Sequence, residues 1–365
     1  MVTFPEIPDT EISVVLLIFI GFTVGIVGGF IGVGGGFMVT PALVVLGFPA
    51  NFAVGTDTTH IAGKSIIATI RHSQLGNVDA KLAIIMVAGT MTGAEGGVRV
   101  LNRLRDSGVA EEAVLTASLC VMAAIGIITY RETMAARRRM EELKAAGKAL
   151  PRDETSSGIA RRLQSLSIWP VIYLPTSRVE VSLWTVLLIG AATGFLSGFF
   201  GVGGGFIRVP AMIYLLGVPS LIAVGTDLLE IIVSSGYTAI RHGMSGNVVI
   251  FAAFIMILGA SIGAQIGALA TQYVRGPAVR LVLVVAVCFG SIAAAMKLAD
   301  VLTDNSLRAL DILSPAMMFG GMAVIVSIIM GLVLMAVVLG RRGTLPGWAE
   351  TLVVVSGESE ARVGH

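Results

Sequence analysis

The chain has 365 residues, 55% of them hydrophobic and only 13% charged, with a formal net charge of +2 at pH 7. Because soluble domains carry roughly 25% charged residues, this composition excludes a water-soluble globular protein and indicates an integral membrane protein. The hydrophobic runs are long and continuous, which favours membrane-spanning helices over the alternating strands of a β-barrel. The two cysteines, Cys120 and Cys288, lie inside such runs, so we expect neither a disulfide framework nor a cysteine-based metal site.

Several hydrophobic runs reach the length of about 20 residues that a helix needs to cross a bilayer. The acidic start, MVTFPEIPDTE, lacks the basic region of a cleaved signal peptide, so we expect the first run to be retained as a span. In chain order, we predict full spans at 12–31, 79–101, 110–130, 182–200, 246–272, 277–299 and 314–340.

The chain contains an internal repeat that relates residues 21–103 to residues 190–273. Four motifs recur in the same order at a nearly constant offset: GVGGGF at 32–37 and 201–206, AVGTD at 53–57 and 223–227, IRH at 70–72 and 240–242, and GN at 76–77 and 246–247. A shared order of this kind is a stronger signal than any one motif. We interpret the chain as a duplicated membrane unit.

A different kind of segment lies between the first and second predicted spans of each repeat. Residues 37–47 and 206–217 are apolar over only about 16 Å of helix, which is half of a bilayer core of about 30 Å. The stretch that follows in repeat 1, residues 54–71, carries several ionisable side chains and is too polar to face lipid. We therefore predict, in each repeat, a glycine-rich, broken-helix hairpin that enters the membrane and turns back while buried in protein or lining a wet cavity.

The distribution of lysine and arginine predicts the orientation. Ten of the 25 such residues lie in the connector 131–181, which we place in the cytoplasm. Three full spans plus a hairpin in repeat 1 make an odd number of crossings, which inverts repeat 2 relative to repeat 1. The predicted fold is an all-α multi-pass membrane protein with two inverted-topology repeats, about seven full spans and two hairpins. Its predicted parts are an extracytoplasmic tail 1–11, repeat 1 at 12–130, the basic connector 131–181, repeat 2 at 182–299, an extra loop and final span 300–340, and a cytoplasmic tail 341–365.

The glycine motifs admit two interpretations. Small residues let membrane helices approach closely, which fits the glycines spaced four apart at Gly89/Gly93 and at Gly259/Gly263/Gly267. Three consecutive glycines, however, destabilise a helix interior by about 1 kcal/mol each relative to alanine. They favour a break followed by a new half-helix, whose free N–H groups and dipole can bind an anion. The candidate anion-binding glycines are Gly34, Gly35 and Gly36 in repeat 1 and Gly203, Gly204 and Gly205 in repeat 2.

The duplicated pattern GVGGGF…P…AVGTD…IRH…GN resembles the TauE/SafE family of sulfite and organosulfonate exporters. The resemblance covers both hydrophobic halves, about 300 residues, but not the connector or the tail. It implies transport of sulfite, sulfonates such as sulfoacetate, or other small anions across the bacterial inner membrane. It also implies coupling to an ion gradient, with a proton or sodium as the coupling ion.

Equivalent ionisable residues follow the glycine motifs in both repeats. Asp57 and Asp227 stand at the end of AVGTD, and three residues later His60 aligns with Glu230. Either the aspartates cap the N-termini of helices, or these four residues form an ion-coupling or proton relay on one helix face.

Two cations lack a counterpart in the other repeat: Lys64 aligns with Ser234, and Arg208 aligns with Val39. We predict that both contact the substrate anion, since an arginine directly behind a glycine motif can hold an oxyanion with two donors. The alternative is ion pairing, of Arg208 with Asp227 or Glu230, or of Lys64 with Asp57 or Glu95. The paired arginines Arg71 and Arg241 are either substrate contacts or anchors at the membrane surface.

The sequence therefore predicts a secondary transporter that moves a small anion, held at half-helix N-termini with arginine and lysine, in export coupled to an ion gradient. A cation-coupled carrier or channel for another small solute is the alternative, because the buried acids would suit a cation. The absence of HExxH and GxSxG motifs argues against an enzyme. We expect no cofactor and no nucleic acid as partner, and a homodimer is one candidate state of assembly.

Overall fold

The computed structural model describes residues 2–106, 110–148, 150, 160, 168–200, 204–302, 308–339, 346 and 348–354. Within them the first half of the chain forms a β-hairpin and five helices. These are β1 Val2–Phe4, β2 Ile7–Ile12, α1 Val14–Ile31, α2 Gly36–Val45, α3 Ala50–Gln74, α4 Ala80–Asp106 and α5 Ala110–Ala145.

The second half repeats this order. Its elements are β3 Val171–Leu174, β4 Val179–Ser182, α6 Leu183–Phe200, α7 Gly205–Ala211, α8 Ser220–Met244, α9 Ile250–Ala270, α10 Gly276–Leu302 and α11 Arg308–Leu334. A π-helical turn, Met212–Leu216, continues α7, and Thr271–Tyr273 forms a 3₁₀ turn after α9. A second π-helical turn, Met335–Leu339, follows α11.

Six helical stretches among the described residues are long and apolar enough to cross a membrane. They are Val14–Ile31, Leu119–Ala145, Ser220–Met244, Ile250–Tyr273, Gly276–Ala293 and Phe319–Leu339. Five of them overlap predicted full spans, whereas Ser220–Met244 covers the second limb of the hairpin predicted in repeat 2. The predicted spans 79–101 and 182–200 lie in α4 and α6 but are not among the six. The protein is a mostly helical, multi-pass membrane protein.

The predicted hairpin limb at 54–71 is longer than the sequence indicated. Residues 54–71 lie inside the continuous 25-residue helix α3, and the equivalent helix α8 also has 25 residues. Such a helix is about 37 Å long, which exceeds a hydrocarbon core of about 30 Å. The charged residues do not force the chain to turn back, because Asp57, His60 and Lys64 are buried in protein. In each repeat the chain leaves the helix at the glycine segment before α2 or α7, and again at the turn before α3 or α8, residues 46–49 and 217–219.

Two short β-hairpins depart from the predicted all-α fold. The N-terminal hairpin buries Phe4, whose ring packs against Phe48 and Phe251 with centroids 5.9 and 6.4 Å apart. The hairpin of β3 and β4 is held by the buried carboxylate of Asp79, which accepts hydrogen bonds from Ser177 N at 3.1 Å and from Ser177 Oγ at 2.8 Å. Each hairpin precedes the first helix of a repeat, so it forms part of the repeated unit.

Close helix pairs join the two repeats. Helix α1 packs on α9 and α4 packs on α6, through the glycines that the sequence assigned to helix packing. A Cβ atom at Gly263 would lie 2.1 Å from the Phe22 carbonyl oxygen, and one at Gly93 would lie 1.9 Å from the Ala191 carbonyl oxygen. The packing interpretation of these glycines is confirmed, because the backbones are too close to admit a side chain.

Helices α3 and α8 run antiparallel and make the same contacts twice. The backbone near the start of α3, at Gly55, lies against Asn247 after the end of α8, and Gly225 lies in the same way against Asn77. The hydrogen bonds agree: Val249 N donates to Thr56 Oγ1 at 3.0 Å, and Asp79 N donates to Thr226 Oγ1 at 2.9 Å.

Gly263→Ala is expected to lower the midpoint of thermal unfolding, since overpacking of this kind costs about 1–3 kcal/mol. Gly331→Ala is the matched control, because a Cβ atom at this helical glycine of α11 meets nothing within 4 Å. The midpoint can be followed by fluorescence of the detergent-purified proteins. Equal midpoints for the two variants would contradict the close packing of α1 on α9.

Candidate functional site

The first glycine motif breaks the helix in repeat 1. Helix α1 ends at Ile31, where Gly32 has φ +78°, and α2 begins at Gly36 after Gly35, which has φ +84°. Positive φ is costly for residues with a Cβ atom, so two changes of chain direction within four residues require glycine. A Cβ atom at Gly35 would lie 2.4 Å from Val24 Cγ1 and 2.9 Å from Lys64 Nζ.

Repeat 2 contains the corresponding break. Gly204 has φ +68° and precedes α7, which begins at Gly205. Residues 201–203, and with them the candidate Gly203, lie outside the described residues.

The two breaks meet near the middle of the long helices. A Cβ atom at Gly205 would lie 3.1 Å from Val33 Cα and 3.2 Å from Gly34 N. One at Gly34 would contact Ile61 of α3 and Ile231 of α8, which are equivalent positions in the two repeats. Residues that are about 170 positions apart in the chain therefore form one local site.

Three ionisable side chains of repeat 2 form a buried cluster beside this junction. Arg208 Nε donates a hydrogen bond to Asp227 Oδ1, and the Arg208 guanidinium also forms an ion pair with Glu230 Oε2. Ser234 Oγ donates to the same oxygen of Glu230 at 3.1 Å. Of the alternatives open from the sequence, the structure thus shows ion pairing of Arg208, with both acids. Asp227 Oδ2 and Glu230 Oε1 have no hydrogen-bond partner within the described part of the chain.

The equivalent residues of repeat 1 are arranged differently. Asp57 Oδ2 accepts a hydrogen bond from Thr40 Oγ1 at 2.7 Å, and Asp57 Oδ1 lies 3.5 Å from His60 Nδ1. The ammonium of Lys64 is buried and lies 3.5 Å from the carbonyl oxygen of Val24. Among the described residues no carboxylate lies within 4.0 Å of Lys64 Nζ, so the predicted alternative of ion pairing with Asp57 or Glu95 is not observed.

The helix-capping alternative for the aspartates is wrong. The N-cap residues of α3 and α8 are Pro49 and Pro219, and both aspartates lie two turns inside their helices. Asp57 and Asp227 are therefore buried inside the long helices α3 and α8, and ionisable groups at such depth in a membrane protein are expensive to keep.

Arg71 and Arg241 do not join the cluster. Both lie in the last turns of their helices; Arg71 Nη1 donates to Gln74 Oε1 at 2.6 Å, and Arg241 is exposed. Their position fits the anchor alternative. The neighbouring His72 is buried, and its Nε2 lies 2.8 Å from the carbonyl oxygen of Gly29.

Two polar partners of the acids were not identified from the sequence. Thr40 lies four residues after the glycines of the first motif, and Ser234 was noted only as the counterpart of Lys64. Both hydroxyls lie one or two helical turns from the break or from an acid, so a helical-wheel projection of each segment could have shown them.

Buried ionisable residues around two facing helix breaks, in a chain with several membrane-crossing helices, define a membrane transporter. The sequence comparisons agree. The family model described as sulfite exporter TauE/SafE matches residues 17–296, and the chain belongs to this family, which consists of transporters rather than enzymes.

Curated relatives carry the same general description. The probable membrane transporter protein YunE of Bacillus subtilis is 30% identical over 264 residues, which cover 70% of this chain and 88% of YunE. The probable membrane transporter protein YjnA of the same organism is 24% identical and is covered over 88% of its length. A probable membrane transporter protein of Xylella fastidiosa is 26% identical over 70% of this chain and 82% of its own. No solved structure is significantly similar to this chain.

Proposed function

We propose that this protein is a secondary transporter that moves a small anion across the bacterial inner membrane. The substrate class is sulfite, a sulfonate such as sulfoacetate, or a related organic acid, and the expected direction is export driven by an ion gradient. The observation that carries the proposal is the meeting of the two glycine breaks, Gly34 against Gly205, beside buried ionisable side chains. Facing discontinuous helices near the membrane centre are the binding sites of many secondary transporters.

The proposed architecture is a pair of inverted repeats. The antiparallel course of α3 and α8, with each contact made twice, supports this arrangement. A salt bridge of 2.8 Å between Lys144 and Glu350 brings the end of α5 and the C-terminal segment to the same end of the molecule. This supports a common, cytoplasmic side for the connector and the tail, as the lysine and arginine distribution predicts.

In the proposed site the anion is bound by backbone N–H groups at the breaks. Gly34, Gly35 and Gly36 line one side, and Gly204 and Gly205 line the other. The buried cations Lys64 and Arg208 are within or next to this region, while Asp57, His60, Asp227 and Glu230 are the proposed ion-coupling residues. Arg71 and Arg241 are proposed as anchors at the ends of their helices.

The second candidate function is a cation-coupled carrier or channel for another solute. It is favoured by one observation. The three buried carboxylates near the breaks, Asp57, Asp227 and Glu230, outnumber the two buried cations there, Lys64 and Arg208. A buried excess of acids would suit a cation better than an anion.

Flux into proteoliposomes tests these proposals. Purified protein is reconstituted, and uptake of labelled sulfite, sulfoacetate, isethionate and short carboxylates is compared with uptake of labelled sodium. The expected result is saturable uptake of at least one anion that increases when a proton or sodium gradient is imposed and is absent from protein-free liposomes. Uptake of sodium without uptake of any anion would overturn the anion proposal in favour of the second candidate.

A further inference from the structure

We propose that the two repeats perform different tasks in one transport cycle, an inference that rests on the proposed function. The anion binds in repeat 1, at Lys64 and the N-terminus of α2. The cluster of Arg208, Asp227 and Glu230 in repeat 2 does not contact the anion but takes up the proton that accompanies it. The substrate class is a small monoanion whose binding to the protein is accompanied by the uptake of one proton.

Lys64 is the buried cation at the breaks that has no ion-pair partner among the described residues. Its ammonium is buried, its one hydrogen bond spans 3.5 Å to Val24 O, at the outer limit for such a bond, and no described carboxylate lies within 4.0 Å. A lysine ammonium has three donors, so at least two are unused. Burying a charge without compensation costs several kcal/mol, so this ammonium would donate hydrogen bonds to an anion and bind it strongly.

The ammonium of Lys64 lies beside the N-terminus of α2. The ammonium lies 2.9 Å from the positions that Cβ atoms would occupy at Gly28 and at Gly35. Gly35 is the N-cap of α2, which has 10 residues, and it carries no side-chain capping hydrogen bond. An anion beside Gly35 would therefore receive donors from the lysine and from the start of the helix at once.

Repeat 2 has no such unpaired cation at its break among the described residues, because the charged side chains there pair with each other. Both acids pair with Arg208. The carboxylate of Asp227 also lies over the start of α7, where Asp227 Oδ2 is 2.7 Å from the position of a Cβ atom at Gly205. A protein carboxylate thus lies at the first residue of α7, while Gly204, the counterpart of Gly35, has Ser197 Oγ rather than a cation 3.1 Å from its Cβ position.

The charges then require a proton. With His60 uncharged, the buried groups around the two breaks are two cations, Lys64 and Arg208, and three carboxylates, Asp57, Asp227 and Glu230. Their formal charge is −1 before any substrate binds. Adding an anion would change this formal charge from −1 to −2. In a medium of low dielectric, like charges repel strongly. Uptake of one proton from water by a carboxylate, giving a carboxylic acid, restores the original charge. Glu230 is the proposed acceptor. Its Oε1 and Asp227 Oδ2 are both buried without a hydrogen-bond partner in the described part of the chain, but the Asp227 carboxylate lies at the start of α7, where the helix dipole favours the charged form.

The groups that can influence Glu230 come from every element packed against α8. Asp57, His60 and Lys64 come from α3, and Arg208 comes from α7. Arg280 of α10 lies at the start of α8, where its Nε donates to Ser220 Oγ at 2.7 Å. The Arg280 guanidinium also lies over the ring of Tyr214, 5.9 Å from the ring centroid. Other ionisable residues near the start of α8 are His72 and Asp79.

Binding of isethionate to the detergent-purified full chain tests the anion half of the proposal. Isethionate is a sulfonate whose charge stays constant around neutral pH, so any proton change belongs to the protein. Lys64→Gln is expected to weaken binding by about tenfold to a hundredfold, the value of a hydrogen bond to a charged group. Lys64→Arg, which keeps the charge, is expected to recover part of the affinity. Lys144→Gln, at a surface lysine paired with Glu350, is the matched control.

The proton half is tested by calorimetry in two buffers of different ionisation enthalpy, which counts the protons taken up with each anion. We expect about one proton for the parent protein and an affinity that falls by up to about tenfold per pH unit as the pH rises. Glu230→Gln, which mimics the protonated acid, is expected to bind isethionate within about threefold of the parent affinity but with markedly less proton uptake.

The outcomes separate the inference from the proposed function. One contradicting result is that the parent protein transports and binds an anion while the folded variants Lys64→Gln and Lys64→Arg bind it with the parent affinity. That result would show that Lys64 does not bind the anion. If Glu230→Gln takes up as many protons as the parent protein, repeat 2 is not the proton carrier. If the parent protein transports no anion of the panel, it is the proposed function that fails.

Discussion

Arg208→Gln is expected to abolish transport and to lower the free energy of unfolding by about 3–5 kcal/mol, the effect of removing one partner from a buried ion pair. Asp227 and Glu230 both depend on this guanidinium, and all three side chains are buried. Without Arg208, two carboxylates would remain close together with no cation in contact. The loss can be measured as the midpoint of thermal unfolding of the purified protein and as anion flux in proteoliposomes.

The triple variant Arg208→Gln, Asp227→Asn, Glu230→Gln is the control for this prediction. It removes the three charges together and keeps the shapes of the two acidic side chains, so we expect most of the stability to return. Transport should not return, because no acid remains in repeat 2 to take up a proton. A stable Arg208→Gln protein with normal flux would show that the cluster contributes neither to folding nor to coupling.

Gly35→Leu is expected to reduce anion flux to the level of protein-free liposomes. The substitution forces a side chain into a backbone with φ +84°, against Val24 and Lys64 Nζ, in the space that the anion is proposed to occupy. Some folded protein should still reach the membrane, since the obstruction is local to the break.

Gly76→Leu separates the two effects of that substitution. Gly76 also has positive φ, at +70°, but a Cβ atom there meets nothing within 4 Å. Both variants carry backbone strain, and only Gly35→Leu fills the proposed site. Equal flux from the two folded proteins would count against an anion position beside Gly35.

The class of protein and the position of the helix breaks could be predicted from the sequence. A chain with so few charged residues cannot keep its apolar surface out of contact with water except in a membrane. The repeated glycine motifs predict breaks because positive φ and the loss of helix propensity are properties of the local backbone. The observed ends of α1 and α6 and the starts of α2 and α7 agree with them.

The candidate site was predicted only in part. The motifs AVGTD and GVGGGF led to Asp57, Asp227 and Gly35, which do lie at the junction. The same reasoning left Arg71 and Arg241 as either substrate contacts or anchors at the membrane surface, and their positions at the helix ends fit the anchors. It also predicted a short limb at 54–71, since it could not know that neighbouring helices bury the charges of α3.

By itself, the sequence determined that the protein is a duplicated, helical membrane protein with two glycine breaks and a small set of buried ionisable residues. Only the tertiary structure decided which of these charges compensate each other. Arg208 and Lys64 were equivalent candidates in the sequence, yet Arg208 pairs with Asp227 and Glu230 while the nearest hydrogen-bond partner of Lys64 is a carbonyl oxygen of α1. Composition and backbone preference act within a few residues, whereas an ion pair depends on the distance between side chains that the packing of separate helices brings together.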